Sequence, residues 1–173
     1  IVTAAIGAGM WQPPKYDLTV SRNYLDYINL MSYNMVSNGG YHHSALYKST
    51  SYFDSQNQVG RTMNTCTVEE SMDIYKSYGV DASQMIIGAA FYGRKYVLTE
   101  AVATASVLGS TKVASSGGNV NYTEIYNNYL MNVDNKNIFN IWDNEACAPY
   151  IYDKANKVVI SYDSMSSIRY KCE

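Results

Sequence analysis

The 173-residue chain carries 13 basic and 15 acidic residues, for a formal net charge of −2, and has no run of one sign. That balance excludes an electrostatic nucleic-acid partner, which needs a basic patch or stripe. No apolar run approaches the roughly 20 residues that cross a bilayer as a helix. A chain of this length can bury one proper core. Its distinctive feature is 18 Tyr against three Phe and two Trp. Tyr joins a flat apolar face to a hydroxyl, which suits a surface that grips amphipathic ligands and equally suits strands and interfaces. The chain starts at Ile1 with no charged-then-apolar pattern, so any targeting peptide is expected upstream.

Residues 1–6 form a short apolar run closed by Gly7-Ala8-Gly9, which predicts a buried parallel strand. A short helix is expected over 21–26, and a second buried strand over 27–33, ended by Asn34. Residues 34–66 are rich in Asn, Gly, Ser and Tyr and are too long for a simple connector, which points to a functional loop. Thr67-Val68-Glu69-Glu70 reads as a capping box opening a helix, with Val68, Met72, Tyr75 and Tyr78 as its apolar stripe and Gly79 as its stop. Residues 85–92 predict a third buried strand. Strand, helix, strand in this rhythm implies a parallel sheet with right-handed crossovers.

After Arg94 the rhythm breaks. Residues 96–160 hold Gly117-Gly118-Asn119, a helix candidate at 122–130, and strand-like runs at 150–152 and 157–162, and they read as an inserted α+β lobe. Residues 1–95 precede that lobe and 161–173 follow it. In the last segment Asp163 is expected to cap a final helix.

Side chains on a strand alternate in direction. Over 27–34 one parity holds Ile28, Leu30 and Ser32, which belongs against outer helices. The other holds Asn29, Met31 and Tyr33, which then point inward. Over 85–94 one parity gives Ile86, Gly88, Ala90, Tyr92 and Arg94: small residues low, Tyr and Arg at the rim. That is the pattern of a lined pocket.

Leu30-Met31-Ser32-Tyr33-Asn34 resembles the Met-x-Tyr-Asp motif closing strand six of the family 18 glycoside hydrolases, the chitinases. Residues 86–94, ending in Tyr92-Gly93-Arg94, resemble that family's strand seven. His42-His43-Ser44-Ala45-Leu46-Tyr47 is similar to the loop between them. Ala148-Pro149-Tyr150-Ile151-Tyr152 and Ile160-Ser161-Tyr162-Asp163 resemble the insertion lobe and the lead-in to the last helix. These matches run in order over nearly the whole chain.

The resemblance implies a (β/α)8 barrel of the chitinase type, present here as strands five to seven plus the α+β lobe. A complete barrel usually needs about 250 residues. Three barrel strands leave parallel edges open, so the rest of the barrel or a second copy is expected to cover them. The family's catalytic Glu closes an Asp-x-x-Asp-x-Asp-x-Glu run on strand four. No such run occurs in the chain, which is therefore expected to be inactive alone. The implied activity of the parent is hydrolysis of β-1,4-linked N-acetylglucosamine, in secreted, extracellular form. Configuration is retained because the substrate's own acetamide supplies the nucleophile. No metal or organic cofactor is implied. The alternative is a chitinase-like lectin that binds chito-oligosaccharides without cleaving them.

By the same resemblance, Tyr33 and Asn34 belong to the catalytic set. Tyr33 would hydrogen-bond the acetamide oxygen. Asn34 stands where most members have Asp, so it accepts hydrogen bonds without bringing a negative charge. Met31 would pack beneath the sugar, Tyr92 and Arg94 would bond sugar hydroxyls, and Tyr41 would stack on a sugar face.

Other residues receive plainer readings. Adjacent rings rarely face one ion, so His42 and His43 are expected to make loop hydrogen bonds. Glu69, Glu70 and Asp73 are cap and solvated-face residues. Glu124 is either a cleft-wall or a surface residue, and Trp142 either packs the lobe or meets sugar. Asn121-Tyr122-Thr123 is a glycosylation sequon. Cys66, Cys147 and Cys172 show no close ligand spacing, and at least one must be unpaired within the chain.

Overall fold

The computed structural model describes residues 1–36, 41–49, 66–104, 107–109, 112–132 and 134–173. Strands β1 (Thr3–Gly7), β2 (Tyr27–Met31) and β3 (Met85–Ile87) form a parallel sheet in that spatial order. Its register aligns Ile6 with Leu30 and Leu30 with Ile87. It is an open sheet rather than a closed barrel.

One face of this sheet is a core. Ile6, Ile28 and Leu30 pack with Leu18 of α1 (Leu18–Ser21), with Val68 and Tyr75 of α2 (Val68–Ser77), and with Val80. Each such side chain removed from water contributes about 1.5–3 kcal/mol. The opposite face carries the aligned row Ala5, Asn29 and Ile86, with Ile86 44% exposed. The alternation expected along β2 is therefore present: Ile28, Leu30 and Ser32 are buried, while Met31 is 37% exposed.

Helix α2 forms where local chemistry places it. The Thr67 hydroxyl accepts from the Glu70 amide, and the Glu70 carboxylate accepts from the Thr67 amide, completing the capping box. Gly79 follows the helix at φ 84, the left-handed stop that glycine enters without a side-chain clash.

The second sheet is antiparallel, in the order β5 (Val113–Asn121), β4 (Tyr92–Leu98), β8 (Val158–Ser161), β7 (Ala148–Asp153), β6 (Ile138–Asp143). Helix α3 (Tyr122–Ile125) runs on as a π-helical turn, Tyr126–Leu130. Ile125 packs with Val120, Ile151 and Ile160. On the other cluster Tyr96, Leu98, Tyr150, Tyr152 and Val159 enclose Val107. Helix α4 (Met165–Cys172) closes the chain. No described helix is long and apolar enough to cross a membrane.

Four expectations are corrected. The apolar stretch 85–92 is not one strand. β3 stops at Ile87, and Tyr92 begins β4 in the second sheet, because the Gly88 carbonyl is taken by the Ser32 hydroxyl at 2.9 Å and the Ala90 amide turns to Asp163 at 3.5 Å. The expected helix at 21–26 lies earlier, as α1 and a 3-10 turn at Arg22–Tyr24, since Leu18, 1% exposed, is the residue that anchors it. Ser164, not Asp163, caps α4, because Asp163 is engaged by Lys171 and Ser167. Strands β5 and β6 were not anticipated at all, and the lobe's sheet starts at Tyr92 rather than after residue 95.

Candidate functional site

The ends of the parallel strands are tied together by buried hydroxyls. Ser32 donates to the Gly88 carbonyl at 2.9 Å, and Ser44 donates to the Ser32 carbonyl at 2.6 Å. Gly88 is required here, since a Cβ would lie 2.7 Å from the Leu30 carbonyl oxygen and 2.9 Å from the Tyr33 ring. The phenol of Tyr33 thus lies against the end of the neighbouring strand. Asn34 follows at φ 56, a left-handed conformation that Asn adopts more readily than most residues. Its amide donates to His43 Nδ1 at 3.5 Å.

Tyr33 meets Tyr92 edge-to-face, with centroids 5.9 Å apart at 77°. This arrangement sets a ring's positive edge against its neighbour's negative face. On its other side Tyr92 lies 5.4 Å from the His43 ring. Burial raises the Tyr92 pKa, and Tyr33 adds to this. Arg94 and the Asn34 side chain pull the other way without reversing it. Arg94 donates to Asn119 at 3.2 Å and lies beside the buried Tyr96 hydroxyl.

His43 is 1% exposed. Burial is the main cause that pushes its pKa down to about 3 from 6.5, with Asp163 opposing. The ring is therefore neutral at ordinary pH. Because Nδ1 accepts from Asn34, its proton sits on Nε2. His42 instead pairs with Asp143, at 3.3 Å. Among the described residues no three His, Cys, Asp or Glu side chains are placed to hold a metal ion.

A cleft of about 240 Å³ opens where β1 and β2 finish. Its lining comes from the end of β1 onward, Gly7, Ala8, Gly9, Trp11 and Gln12, and from the end of β2 onward, Met31, Tyr33, Asn34 and Met35. Of the residues singled out from sequence, Met31, Tyr33 and Asn34 share this cleft, Tyr92 adjoins it through Tyr33, and Arg94 lies one step beyond on β4. Tyr41 stands apart: it is 7% exposed and packs with Val36 and Leu108, leaving little open ring face for stacking. Trp142 packs against Tyr170 of α4, with ring centroids 5.7 Å apart. Asn121 and Glu124 are exposed, Cys66 is buried, and Cys147 and Cys172 are free thiols. Sequence reasoning passed over Trp11 and Gln12, for which Gly7-Ala8-Gly9 at the end of β1 was the available signal.

A phenol hydroxyl, two side-chain amides and two thioethers around a hollow can bind and orient a polyhydroxylated ring. None of the described lining residues carries a carboxylate. Parallel strands that open into a cleft at their carboxyl ends are the usual place for a ligand or active site in an α/β fold. The model of the glycosyl hydrolases family 18 matches residues 1–173, and the chain belongs to that family.

Its relatives agree. Chitinase A1 of Niallia circulans is 26% identical over 99% of the chain, and the chitinase of the Autographa californica nuclear polyhedrosis virus is 29% identical over 96%. The chain spans only 25% and 29% of those two proteins. A family 18 N-acetylglucosaminidase structure from Paenibacillus barengoltzii superposes with a TM-score of 0.79 at 32% identity, over 98% of this chain and 46% of that one. The cell-surface-expressed chitinase ChiW of a Paenibacillus strain superposes with a TM-score of 0.77 at 30% identity, over 98% of this chain and 14% of that one.

Proposed function

We propose that this chain is the substrate-cradling part of a chitinase acting on β-1,4-linked N-acetylglucosamine, with retention of configuration through the substrate's own acetamide. The observation that carries this reading is the shared cleft of Met31, Tyr33 and Asn34 at the end of β2, with Tyr92 edge-on to Tyr33. In this reading Tyr33 donates to the acetamide oxygen and Met31 packs beneath the ring. Asn34 accepts from the acetamide N–H, and Tyr92 and Arg94 bond sugar hydroxyls along the adjoining wall. Reaction at the anomeric carbon creates positive charge, which Tyr33 and Asn34 meet with dipoles alone. Tyr41 is the weakest member of the set, given its burial.

The strands are proposed to be the fifth to seventh of a (β/α)8 barrel. Their open edges, at β1 and β3, are then covered by the remaining strands or by a second copy. An extracellular location fits the cell-surface expression of one solved relative. With no Asp-x-x-Asp-x-Asp-x-Glu run in its sequence, the chain alone should bind but not cleave. A chromogenic chito-oligosaccharide assay tests this, and turnover above background would overturn it.

A lectin reading has one observation in its favour: Asn34, an uncharged residue, occupies the position at which the family's carboxylate is expected. The two readings separate on the strand-four sequence of the whole protein. An intact Asp-x-Asp-x-Glu makes it an enzyme, and a replaced Glu makes it a lectin.

A further inference from the structure

We propose that Trp11 is the aromatic platform of this cleft, and that one N-acetylglucosamine unit of a chito-oligosaccharide stacks on its free face. This rests on the substrate class proposed above and adds a residue that sets affinity within it.

The argument begins with two glycines. The segment after β1 folds back on itself through the Gln12 amide, which donates to the Gly9 carbonyl at 2.8 Å. The Gln12 side chain then lies over Gly7, where a Cβ would meet three of its atoms at 2.9 Å. Trp11 lies over Gly9 in the same way. A Cβ on Gly9 would be 2.5 Å from Cζ2, 2.6 Å from Cη2 and 2.7 Å from Cε2. Three consecutive ring atoms at nearly equal distance mean that the Gly9 backbone meets the indole's face. An edge-on approach would have left the two flanking atoms much farther away. One face of the indole is therefore spent on Gly9, and the ring cannot tilt toward it.

The ring also lines the cleft that Met31, Tyr33 and Asn34 line, and it is partly exposed. The second face is the part left for a ligand. A pyranose presents a patch of C–H bonds with slight positive charge, which complements the negative face of an aromatic ring. A ring already held on one side gives up little conformational freedom on binding. Tyr41 is buried, Trp142 packs at a tilt against Tyr170, and neither lines this cleft.

The test is calorimetric titration with the trimer of N-acetylglucosamine, on the wild-type chain and on Trp11→Ala, Gly9→Ala and Trp142→Phe. Gly9 does not have a positive φ, so alanine is conformationally acceptable there and acts only by displacing the indole. Trp11→Ala and Gly9→Ala should each weaken binding about tenfold, while Trp142→Phe should leave it unchanged. In Trp142→Phe the sole remaining indole is Trp11, and its emission should shift on titration. That measurement decides the matter even if either site variant fails to fold. Binding that persists at wild-type strength in both site variants, or that leaves Trp11 emission unmoved, overturns the platform alone. A wild-type chain that does not bind the trimer removes the substrate reading and the platform with it.

Discussion

Lys171 Nζ lies 2.7 and 2.8 Å from the two carboxylate oxygens of Asp163, and both side chains are almost wholly enclosed, at 3% and 0% exposure. The ammonium also donates to Ser44 at 2.6 Å, and Ser44 donates to the carbonyl of Ser32. Asp163 further accepts from the Ser167 hydroxyl and the Ala90 amide. One buried pair thus ties α4 to the segment after β3 and to the residue that precedes Tyr33. Burial lowers the Lys171 pKa while Asp163 resists that shift, the mark of an ammonium stable there only through its partner.

Replacing Lys171 with Met should accordingly cost about 3–5 kcal/mol, because it strands a buried carboxylate. The double variant Lys171→Met with Asp163→Leu removes both charges and should recover much of that loss. Urea unfolding of the four forms, taken as a double-mutant cycle, measures the coupling. A double-variant loss equal to the sum of the two single-variant losses would show that the pair does not act as a unit.

The elements that could be read from sequence are those whose cause is local. Thr67 and Glu70 cap each other within one turn, so α2 needed no tertiary information. The inward and outward sides of β2 were also legible, since Ile28, Leu30 and Ser32 differ in kind from Met31 and Tyr33. The failures are non-local. Gly88-Ala89-Ala90 looks like a continuing apolar strand, and only Ser32 and Asp163, far away in sequence, pull it off the ladder. The Ser- and Gly-rich β5 has little strand propensity of its own and exists because β4 offers it a register, with two irregularities. Tyr41 looked like an open aromatic in a polar loop, yet Val36 and Leu108 bury it. The enclosure of His43 depends on Tyr92 and Ser161, which no spacing rule brings near it.

His43 sets a pH dependence whose sign follows from its shift. The native ring stays neutral down to about pH 3, whereas the unfolded ring takes a proton near 6.5. Between those values the unfolded state binds the extra proton, so stability falls as pH falls, by up to about 1.4 kcal/mol per pH unit. Above about pH 6.5 this contribution is constant. Asp163, Lys171, His42 and Arg94 surround the ring, and carboxylates elsewhere also titrate on acidification, so the comparison must be with His43→Gln. The wild type should lose more stability than this variant when urea midpoints at pH 7 and pH 4.5 are compared. Parallel losses in the two proteins would refute a neutral buried His43.

Asn34 bears most directly on the chemistry, because its backbone and its side chain can be separated. The φ of 56 accepts Asn or Asp with little strain, whereas Ala there should cost about 1 kcal/mol. Asn34→Asp should therefore fold as the wild type does. It would bring a negative charge beside Tyr92 and raise that phenol's pKa further, since the hydroxyl already titrates high. In the protein carrying the whole barrel, a carboxylate at this position would stabilise the positive charge that develops at the anomeric carbon. The expected result is a rise in kcat of about tenfold, equivalent to about 1.4 kcal/mol of transition-state stabilisation, with KM little changed. A fall in kcat with the fold intact would instead show that this site is tuned to the neutral amide, and that the positive charge is met by Tyr33 and the surrounding dipoles alone.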